Sequence, residues 1–561
     1  MTINVSLNTV GNLQDTTTAQ TNINANSTAI EGGFTTALNT TGDQMKGNLD
    51  MNSNQILNLP APATANSPAR LVDIVSASTA ITVPPVGTSG AVVGLLNANK
   101  TDSGNNTFSG TNTFATISGS LVFTGSAAFS GPNPWYDITA YGAVAGGVTD
   151  CTTAFQTALN AASSLQGVVY VPPGKYKVSS TLTVPAYVSV RGDGKNSSQI
   201  LPYQTSGDVF YCPNAGARFV DLQVYNVSGS IPTSGYIIDS TNTAGASLFV
   251  SNCIFGNYYN GINCQSGDSY INQVQIGDMY GTVGINGTAF ITNCLLNNPS
   301  LTNYTAGSGF NNWANNTSYS TGTVVQSNGG YLVCSVGGLS AATGSGPGVT
   351  VFNTATTDGT AQWLYMCRNN YVKVSCASDS WLRGNDITGA CQYGVQIGTS
   401  NTVKLSENNI SNCIGAGVAL TASTFMTVIT GNFFNGIFGN GSTSLGYGIS
   451  AAQGGTQNFG TVISQNTFNN IAGVAIYTNG SNQTVTDNFI NGYANTATNS
   501  YAIILGTSSI NCVVSGNNIV PGVSSIQVAG VDYINVVNNI VHGVSVVNSS
   551  TGSHTTITGN V

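Results

Sequence analysis

Val513-Val514-Ser515-Gly516-Asn517-Asn518-Ile519-Val520 reads as one corner of a repeating unit: apolar β-branched residues run into a Ser-Gly-Asn turn and resume after it. The turn comes back along residues 376–561 as Asn385-Asp386-Ile387, Asn408-Asn409-Ile410, Asn432-Phe433-Phe434, Asn466-Thr467-Phe468, Asn488-Phe489-Ile490, Asn538-Asn539-Ile540 and Asn560-Val561. Counted through Asn517, the asparagines step by 23, 24, 34, 22, 29, 21 and 22 residues. Such a period means stacked units, none of which buries its apolar face alone, and the two long steps carry loops. Sustained 3.6-residue periodicity is missing, so the units are not helical. The pattern predicts an all-β chain: a right-handed, single-stranded parallel β-helix whose coils lie about 4.8 Å apart. Asparagines at one position of every coil would form a hydrogen-bonded ladder. Phe434, Phe468, Ile490, Ile519 and Ile540 would stack as a dry interior column.

Composition agrees with a solenoid dressed in neutral polar side chains. Only 6% of the 561 residues are charged, and 12 Lys+Arg against 20 Asp+Glu give a net charge of −8. No Lys or Arg follows Lys404 and none form a run, which argues against a nucleic-acid surface, because neutralising phosphates takes clustered cations. Of the 11 cysteines, Cys253, Cys294, Cys413 and Cys512 each follow an Asn, and Cys391 and Cys413 are one coil apart. They read as small apolar residues of the stack, with a disulfide framework as the alternative. The N-terminus, Met1-Thr2-Ile3-Asn4-Val5, has no basic region and no apolar core. No apolar run approaches the ~20 residues needed to span a bilayer. The expectation is a soluble chain made in a cytoplasm, without membrane insertion.

Residues 1–40 space Ile23 and Ile30 seven apart beside Leu13, Phe34 and Ala37. That is either a short coiled coil joining identical chains or a flexible tail. Next comes Gly42-Asp43-Gln44-Met45-Lys46-Gly47-Asn48-Leu49-Asp50-Met51-Asn52-Ser53-Asn54-Gln55-Ile56-Leu57-Asn58-Leu59-Pro60. It resembles a segment common near the N-termini of bacteriophage tail fibres, and Leu71-Val72-Asp73 follows as it often does there. In residues 76–131, Phe108 and Phe114, then Phe123 and Phe129, are six apart beside Ser/Thr-Gly turns. One chain cannot bury phenylalanines so placed, whereas three chains wound on a shared axis can. A disordered linker is the alternative.

From Trp135 the character changes. Asp137-Ile138-Thr139-Ala140-Tyr141-Gly142-Ala143 leads to Gly147-Val148-Thr149-Asp150-Cys151. A helix is predicted over 153–163, with Phe155, Ala158, Leu159 and Ala162 on its inner face and Thr149 or Asp150 as N-cap. Val168-Val169-Tyr170-Val171-Pro172-Pro173-Gly174-Lys175-Tyr176 and Val188-Ser189-Val190-Arg191-Gly192-Asp193-Gly194 follow. This run of about 65 residues resembles the opening segment of the pectate-lyase-like β-helix superfamily. Cys151 stands where that pattern usually has a second acidic residue. The resemblance implies a helix capping the open end of the solenoid, with Asp137, Asp150 and Asp193 as turn and cap residues. Coils continue at Val220-Asp221-Leu222, Asn252-Cys253-Ile254, Asn272-Gln273-Val274 and Asn293-Cys294-Leu295.

The rhythm then breaks. Trp313, Tyr319, Gly322, Val325, Tyr331, Pro347 and Trp363 resemble the spacing of small carbohydrate-binding modules attached to chitinases. That likeness makes Trp313, Tyr319, Tyr331 and Trp363 candidate carbohydrate contacts, or else the small core of the insert. The sugar-facing tryptophan of the family is absent, with Cys334-Ser335-Val336 in its place. The domain boundaries read as 1–75 for attachment, 76–131 for a trimeric stem, 132–304 for the cap and first coils, 305–367 for the insert and 368–561 for the remaining coils.

Chemistry on a glycan needs two carboxylates for hydrolysis, or a base with a cation for elimination. The richest charged cluster is Asp379, Arg383, Asp386, Lys404 and Glu407, directly after the insert. Counted from the Asn of each coil, Glu407 is at −1 and Asp386 at +1 on adjacent coils, so both are candidate catalytic carboxylates. Asp379 is a third, and Arg383 would clamp an acidic sugar or pair with a carboxylate. Asp487 shares the register of Glu407 three coils away. Asp268 and Asp278 form a second candidate pair. His542 and His554 have no acidic neighbour in sequence, and no spacing requires a metal or other cofactor, so none is expected. Together the segments resemble a bacteriophage tailspike or tail fibre. That likeness implies a homotrimer in the virion, joined to tail or baseplate proteins by its N-terminal segment and recognising bacterial surface polysaccharide. Scarce carboxylates, with Glu31 and Glu407 the two glutamates, favour a receptor-binding protein, and a depolymerase (glycoside hydrolase or lyase) is the alternative. A secreted pectate-lyase-type enzyme is a third and lesser one.

Overall fold

The computed structural model describes residues 20–29 and 135–561, less 228–231, 241–246, 278, 298–310, 322, 329, 348–354, 369–370, 391, 440–445, 452–457, 494–500, 521–523, 531 and 543–545. Two units are distinguished, residues 1–116 and 117–561. In the first, residues 20–29 are helical, with Gln20 donating to Asn24 four residues on (3.2 Å) and Ile23 48% exposed. The tail-fibre-like segment and the phenylalanine stem lie outside the described residues.

The second unit opens as its sequence implies. Asp137 accepts from the backbone N–H of Thr139 (2.8 Å) and starts a short 3-10 turn, Ile138–Tyr141. The helix spans Thr152–Ser163 and buries Ala154, Phe155, Ala158, Leu159 and Ala162. Its N-cap is Cys151, one residue after the expected position, and the cysteine side chain makes no cap bond. Asp150 serves from outside, accepting from the Thr152 N–H (3.0 Å), the Thr152 hydroxyl (2.6 Å) and the Ser179 hydroxyl. A buried thiol suits a capping position that faces the core, where a second carboxylate would be desolvated.

Beyond the cap the chain winds as the expected right-handed parallel β-helix. The strands that follow each corner form a 13-stranded sheet, and the other strands of the coils form a 30-stranded one. Pairing between coils is parallel, for example Asn409↔Phe433 and Phe433↔Thr467. The ladder is present at Asn385, Asn408, Asn432, Asn466, Asn488, Asn517, Asn539 and Asn560. Each Nδ2 before the last donates to the Oδ1 of the next at 2.8–3.0 Å. The same Oδ1 accepts the backbone N–H of the preceding asparagine, as Asn466 does for Asn432 at 2.9 Å. Asn466 Nδ2 also reaches a buried carbonyl, that of Ile429, at 2.8 Å. The residue just before each asparagine is left-handed: Gly384, Glu407, Gly431, Gln465, Asp487, Gly516, Asn538 and Gly559 all have φ of 55–66°. Glycine takes this conformation without strain, and Asn, Asp, Gln and Glu take it elsewhere in the column.

That left-handed residue corrects two expectations. In the last full coil the ladder residue is Asn539, and Asn538 is the left-handed one. The interior column therefore runs Phe434, Phe468, Ile490, Ile519, Val541, while Ile540 is 44% exposed. A one-residue slip in a strand turns every side chain to the other face. The same holds before the insert. Asn252, Gln273 and Asn293 are left-handed, and the ladder position carries buried Cys253, Val274 and Cys294. The ladder begins only where the Cys294 N–H donates to Asn385 Oδ1 (2.9 Å).

The insert is a five-stranded sheet in the order Asn311–Asn312, Val324–Ser327, Gly330–Val336, Ala361–Arg368, Ala355–Asp358. It has its own core of Tyr319, Val325, Leu332, Cys334, Ala361 and Trp363. Nine described cysteines are free and buried, seven of them in the coils, Cys151 in the cap and Cys334 in the insert, so they serve as small apolar core residues and not as a disulfide framework. Near the end, His554 does have an acidic neighbour, contrary to the reading from sequence. Asp532, one coil earlier, accepts from its Nδ1 (2.9 Å) and its backbone N–H (2.8 Å), and the His554 ring stacks on Tyr533 at 4.5 Å.

Two outcomes follow from this packing. Asn466→Ala strands the Asn432 amide and the Ile429 carbonyl in the interior and should cost about 3 kcal/mol, against ~1 kcal/mol or less for partly exposed Asn560→Ala, in urea unfolding. Burial also pushes the Cys253, Cys264 and Cys413 thiols from an ordinary 9.0 up to about 12. Below the ordinary value both folded and unfolded chains keep these thiols protonated. Above it only the unfolded chain ionises, so thermal stability should fall as pH rises from 9.0 toward about 12. Replacing the three by alanine or serine should flatten that fall.

Candidate functional site

The corner after the insert separates Arg383 and Glu407 from Asp386, and Asp379 lies on the turn before it. Arg383 closes the strand before the corner, and its Nε and Nη2 donate to Glu407 Oε2 and Oε1 at 3.1 and 3.2 Å. Both side chains are more than half exposed, at 52% and 60%, so the pair is screened and contributes at most about 1 kcal/mol. Asp386 begins the strand after the corner, where its Oδ1 accepts from the Thr388 hydroxyl (2.9 Å) and from Asn409 Nδ2 (3.1 Å). The two carboxylates thus spend their acceptors on different partners, Glu407 on a guanidinium and Asp386 on neutral donors. Asp379 sits on another exposed left-handed turn (φ 60°), with its backbone N–H on the Asn401 carbonyl. Lys404 lies over the Trp381 ring at 5.1 Å. Asp268 is exposed, and Asp278 lies outside the described residues.

Of the four aromatics expected to touch sugar, three are buried and Trp313 is partly exposed. Trp363 is fully buried, Tyr331 is 2% exposed and Tyr319 is 9% exposed. Trp313 packs against the same core, and its Nε1 donates to Asp358 Oδ2 (2.7 Å), which also accepts from Trp363 Nε1 (3.2 Å). One buried carboxylate thus satisfies both indoles, which a small sheet needs in order to bury them. Tyr319 and Trp363 lie in the core of the insert with Trp313, partly buried, packed against it, and Tyr331 is buried with the core of the solenoid.

Sequence reading missed another pair of carboxylates. Asp208 and Asp239 lie on adjacent coils, where Phe210 pairs with Ile238 and Tyr211 with Asp239. Asp208 Oδ1 accepts from the Tyr236 N–H (2.7 Å). Asp239 Oδ1 accepts from Asn263 Nδ2 (2.7 Å), and Asn263 Oδ1 from Asn286 Nδ2 (3.0 Å), making a short exterior amide ladder that ends on a carboxylate. Burial pushes both carboxyls above the usual range. The hydrogen bond from Asn263 opposes this at Asp239, and the charge of Asp208 adds to it. Half-buried carboxylates on adjacent coils with raised pKa values are an arrangement that acid–base chemistry uses. The signal was in the sequence: Asp239, Asn263 and Asn286 step by 24 and 23 residues, one coil each.

A groove of about 580 Å³ runs along the corner of the coils before the insert, lined among others by Lys195, Asp221, Asn252, Gln273, Gln275 and Asn293. Among the described residues, no three His, Cys, Asp or Glu side chains are grouped to hold a metal ion.

Raised carboxyl pKa values mean that ionisation of Asp208 and Asp239 opposes folding once pH exceeds their ordinary range. Asp239→Asn keeps the acceptor for Asn263 and removes the charge. It should raise the melting temperature at pH 7, with the gain vanishing below about pH 4, where wild type is protonated in both states.

Comparison with known proteins places these coils. Residues 135–419 match the family Rhamnogalacturonase A/epimerase, pectate lyase-like. A curated relative, the non-secreted LysM effector LysM19 of Penicillium expansum, is 33% identical over 99 residues, 18% of this chain, and the match spans 7% of that protein. Among solved structures, the catalytic unit of a GH87 alpha-1,3-glucanase from Streptomyces thermodiastaticus is 15% identical, with 78% of this chain and 71% of that one covered and a TM-score of 0.43. The Dettilon tailspike protein is 12% identical over 76% and 68%, at 0.37. PfbA, a surface adhesin of Streptococcus pneumoniae, is 18% identical over 74% and 91%, at 0.38. At such TM-scores these likenesses carry no functional argument.

Proposed function

The chain belongs to the Rhamnogalacturonase A/epimerase, pectate lyase-like family, and on that premise we propose that it is a bacteriophage tailspike that cleaves polysaccharide on the surface of its host. In this reading residues 1–75 attach to tail or baseplate proteins of the virion, and three copies assemble through the phenylalanine-spaced stem. The tail-fibre-like segment at 42–60 supports the first part, and the spacing of Phe108, Phe114, Phe123 and Phe129 supports the second. The observation that carries the catalytic part is the half-buried pair Asp208 and Asp239, inside the family-matched region and on adjacent coils.

The chemistry requires a proton at the glycosidic oxygen and a base for water on the other side of the sugar. Burial raises both carboxyls, and the charge of either disfavours ionising the other, so one of the pair would hold the proton while the other acts as the base. A second reading, a receptor-binding spike without cleavage, is favoured by one observation. The richest charged cluster spends Glu407 on Arg383 and Asp386 on Thr388 and Asn409.

The deciding experiment incubates the protein with capsule or lipopolysaccharide chains from the host and follows their length by size-exclusion chromatography. Shortening should fall about 100-fold or more in Asp208→Asn and in Asp239→Asn, and stay within about threefold of wild type in Asp386→Asn. Loss in Glu407→Gln or Asp386→Asn instead would move the site to the corner after the insert. Binding without shortening in wild type would establish the receptor-binding reading.

A further inference from the structure

Along the exterior of the strand that precedes the corner, one column of side chains is aromatic through its middle and cationic at both ends. Coil by coil it reads Arg218, Phe249, Tyr270, Phe290, Trp381, Lys404, each directly paired in register with the next. Tyr270 and Phe290 are stacked at 5.0 Å and 10°, and Phe290 meets Trp381 edge-on at 6.3 Å. Arg218 lies over Phe249 at 4.7 Å and Lys404 over Trp381 at 5.1 Å. The column is accessible, with Tyr270 47% exposed and the other three rings partly so. Exposed aromatic stacks four coils long gain nothing for the core, since the dry interior lies on the opposite face of the same strands.

The charges around it are uneven. Two carboxylates border the column, and each has its own arginine: Glu407 with Arg383 at 3.1 Å and Asp221 with Arg191 at 3.7 Å. Among the described residues, Arg218 and Lys404 pair with no carboxylate. Their contacts are with ring faces, which leave the N–H donors without a carboxylate. Lys195, in the adjoining groove, likewise has no carboxylate partner among the described residues.

We propose that this column is a binding site for an anionic polysaccharide laid along the solenoid axis. The proposal rests on the polysaccharide reading above and adds a site on a face separate from Asp208 and Asp239. Sugar rings present C–H faces that pack on aromatic rings and bury apolar area. Five coil steps separate Arg218 from Lys404, or about 24 Å. Reaching both cations therefore takes an extended polymer with acid groups in its repeat, and a monosaccharide spans neither end.

The test is affinity electrophoresis of the full chain through gels holding hyaluronan or polygalacturonate (carboxylate), dextran sulfate (sulfate) or neutral dextran. Retardation by at least one acidic polymer and none by dextran is the expected result, and the arms tell carboxylate from sulfate. Arg218→Gln and Lys404→Gln, both exposed, should each weaken binding about fivefold, and Tyr270→Ala about tenfold. Binding that is indifferent to all three substitutions would overturn the site. Dextran bound as tightly as the acidic polymers, with the same dependence on Tyr270, would overturn the acid preference and leave a glycan site. No retardation by any polymer would overturn both. Failure of the cleavage reading shows separately, as shortening that survives Asp208→Asn and Asp239→Asn.

Discussion

In each coil from Asn385 to Asn539 a buried side-chain amide donates and accepts across the stack at once, something no single backbone group at that corner can do. A parallel coil has to bend, and bending turns corner N–H and C=O groups inward, away from water. Asparagine resolves this because its amide is short enough to stay at the corner and carries both polarities. Aspartate lacks the donor, and glutamine places its amide one carbon too far. The partner of each asparagine is the next asparagine, so the ladder also sets register. A slip by one residue would seat the left-handed residue in the ladder and turn an interior column outward.

Once register is locked, residues 22–24 apart in sequence become neighbours on the surface. Glu407 meets Arg383, His554 meets Asp532, Asn263 meets Asp239 and Lys404 meets Trp381, each across one coil step. What such neighbours do depends on how much water they keep. The exposed Arg383–Glu407 pair is a screened contact, whereas half-burial at Asp208 and Asp239 alters the proton affinity itself. A solenoid with few charges can therefore hold distinct chemistries on separate faces.

The fold was legible because its signal repeats: apolar runs of β-branched residues, a turn, and one buried amide per coil. Legibility failed by single residues, and for one reason. Asn is favoured both in the ladder and in the left-handed position before it, so Asn538 and Asn539 cannot be told apart by type, and Asn293 imitates a ladder residue that Cys294 replaces. The site was less legible. Sequence displays charge but not desolvation, so the dense Asp379–Glu407 cluster outweighed Asp208 and Asp239, whose distinction is their burial. The insert aromatics matched a module spacing, yet that spacing serves a core centred on Asp358. The tail-fibre-like motif and the stem lie outside the described residues.

The insert interrupts the chain without interrupting the solenoid. Asn293 donates to the Arg383 carbonyl, Cys294 to Asn385, and Phe290 pairs with Trp381, all 90 or 91 residues apart in sequence yet one coil step apart in space. Loop-closure entropy grows only with the logarithm of length, so lengthening this step from an ordinary coil to 91 residues adds about 1 kcal/mol. The position behaves as a socket: a module with its own core can be lost, exchanged or enlarged there while the coils on either side stay in register. A lineage under pressure to change what it touches thus has one place to experiment at small cost to the rod that carries it.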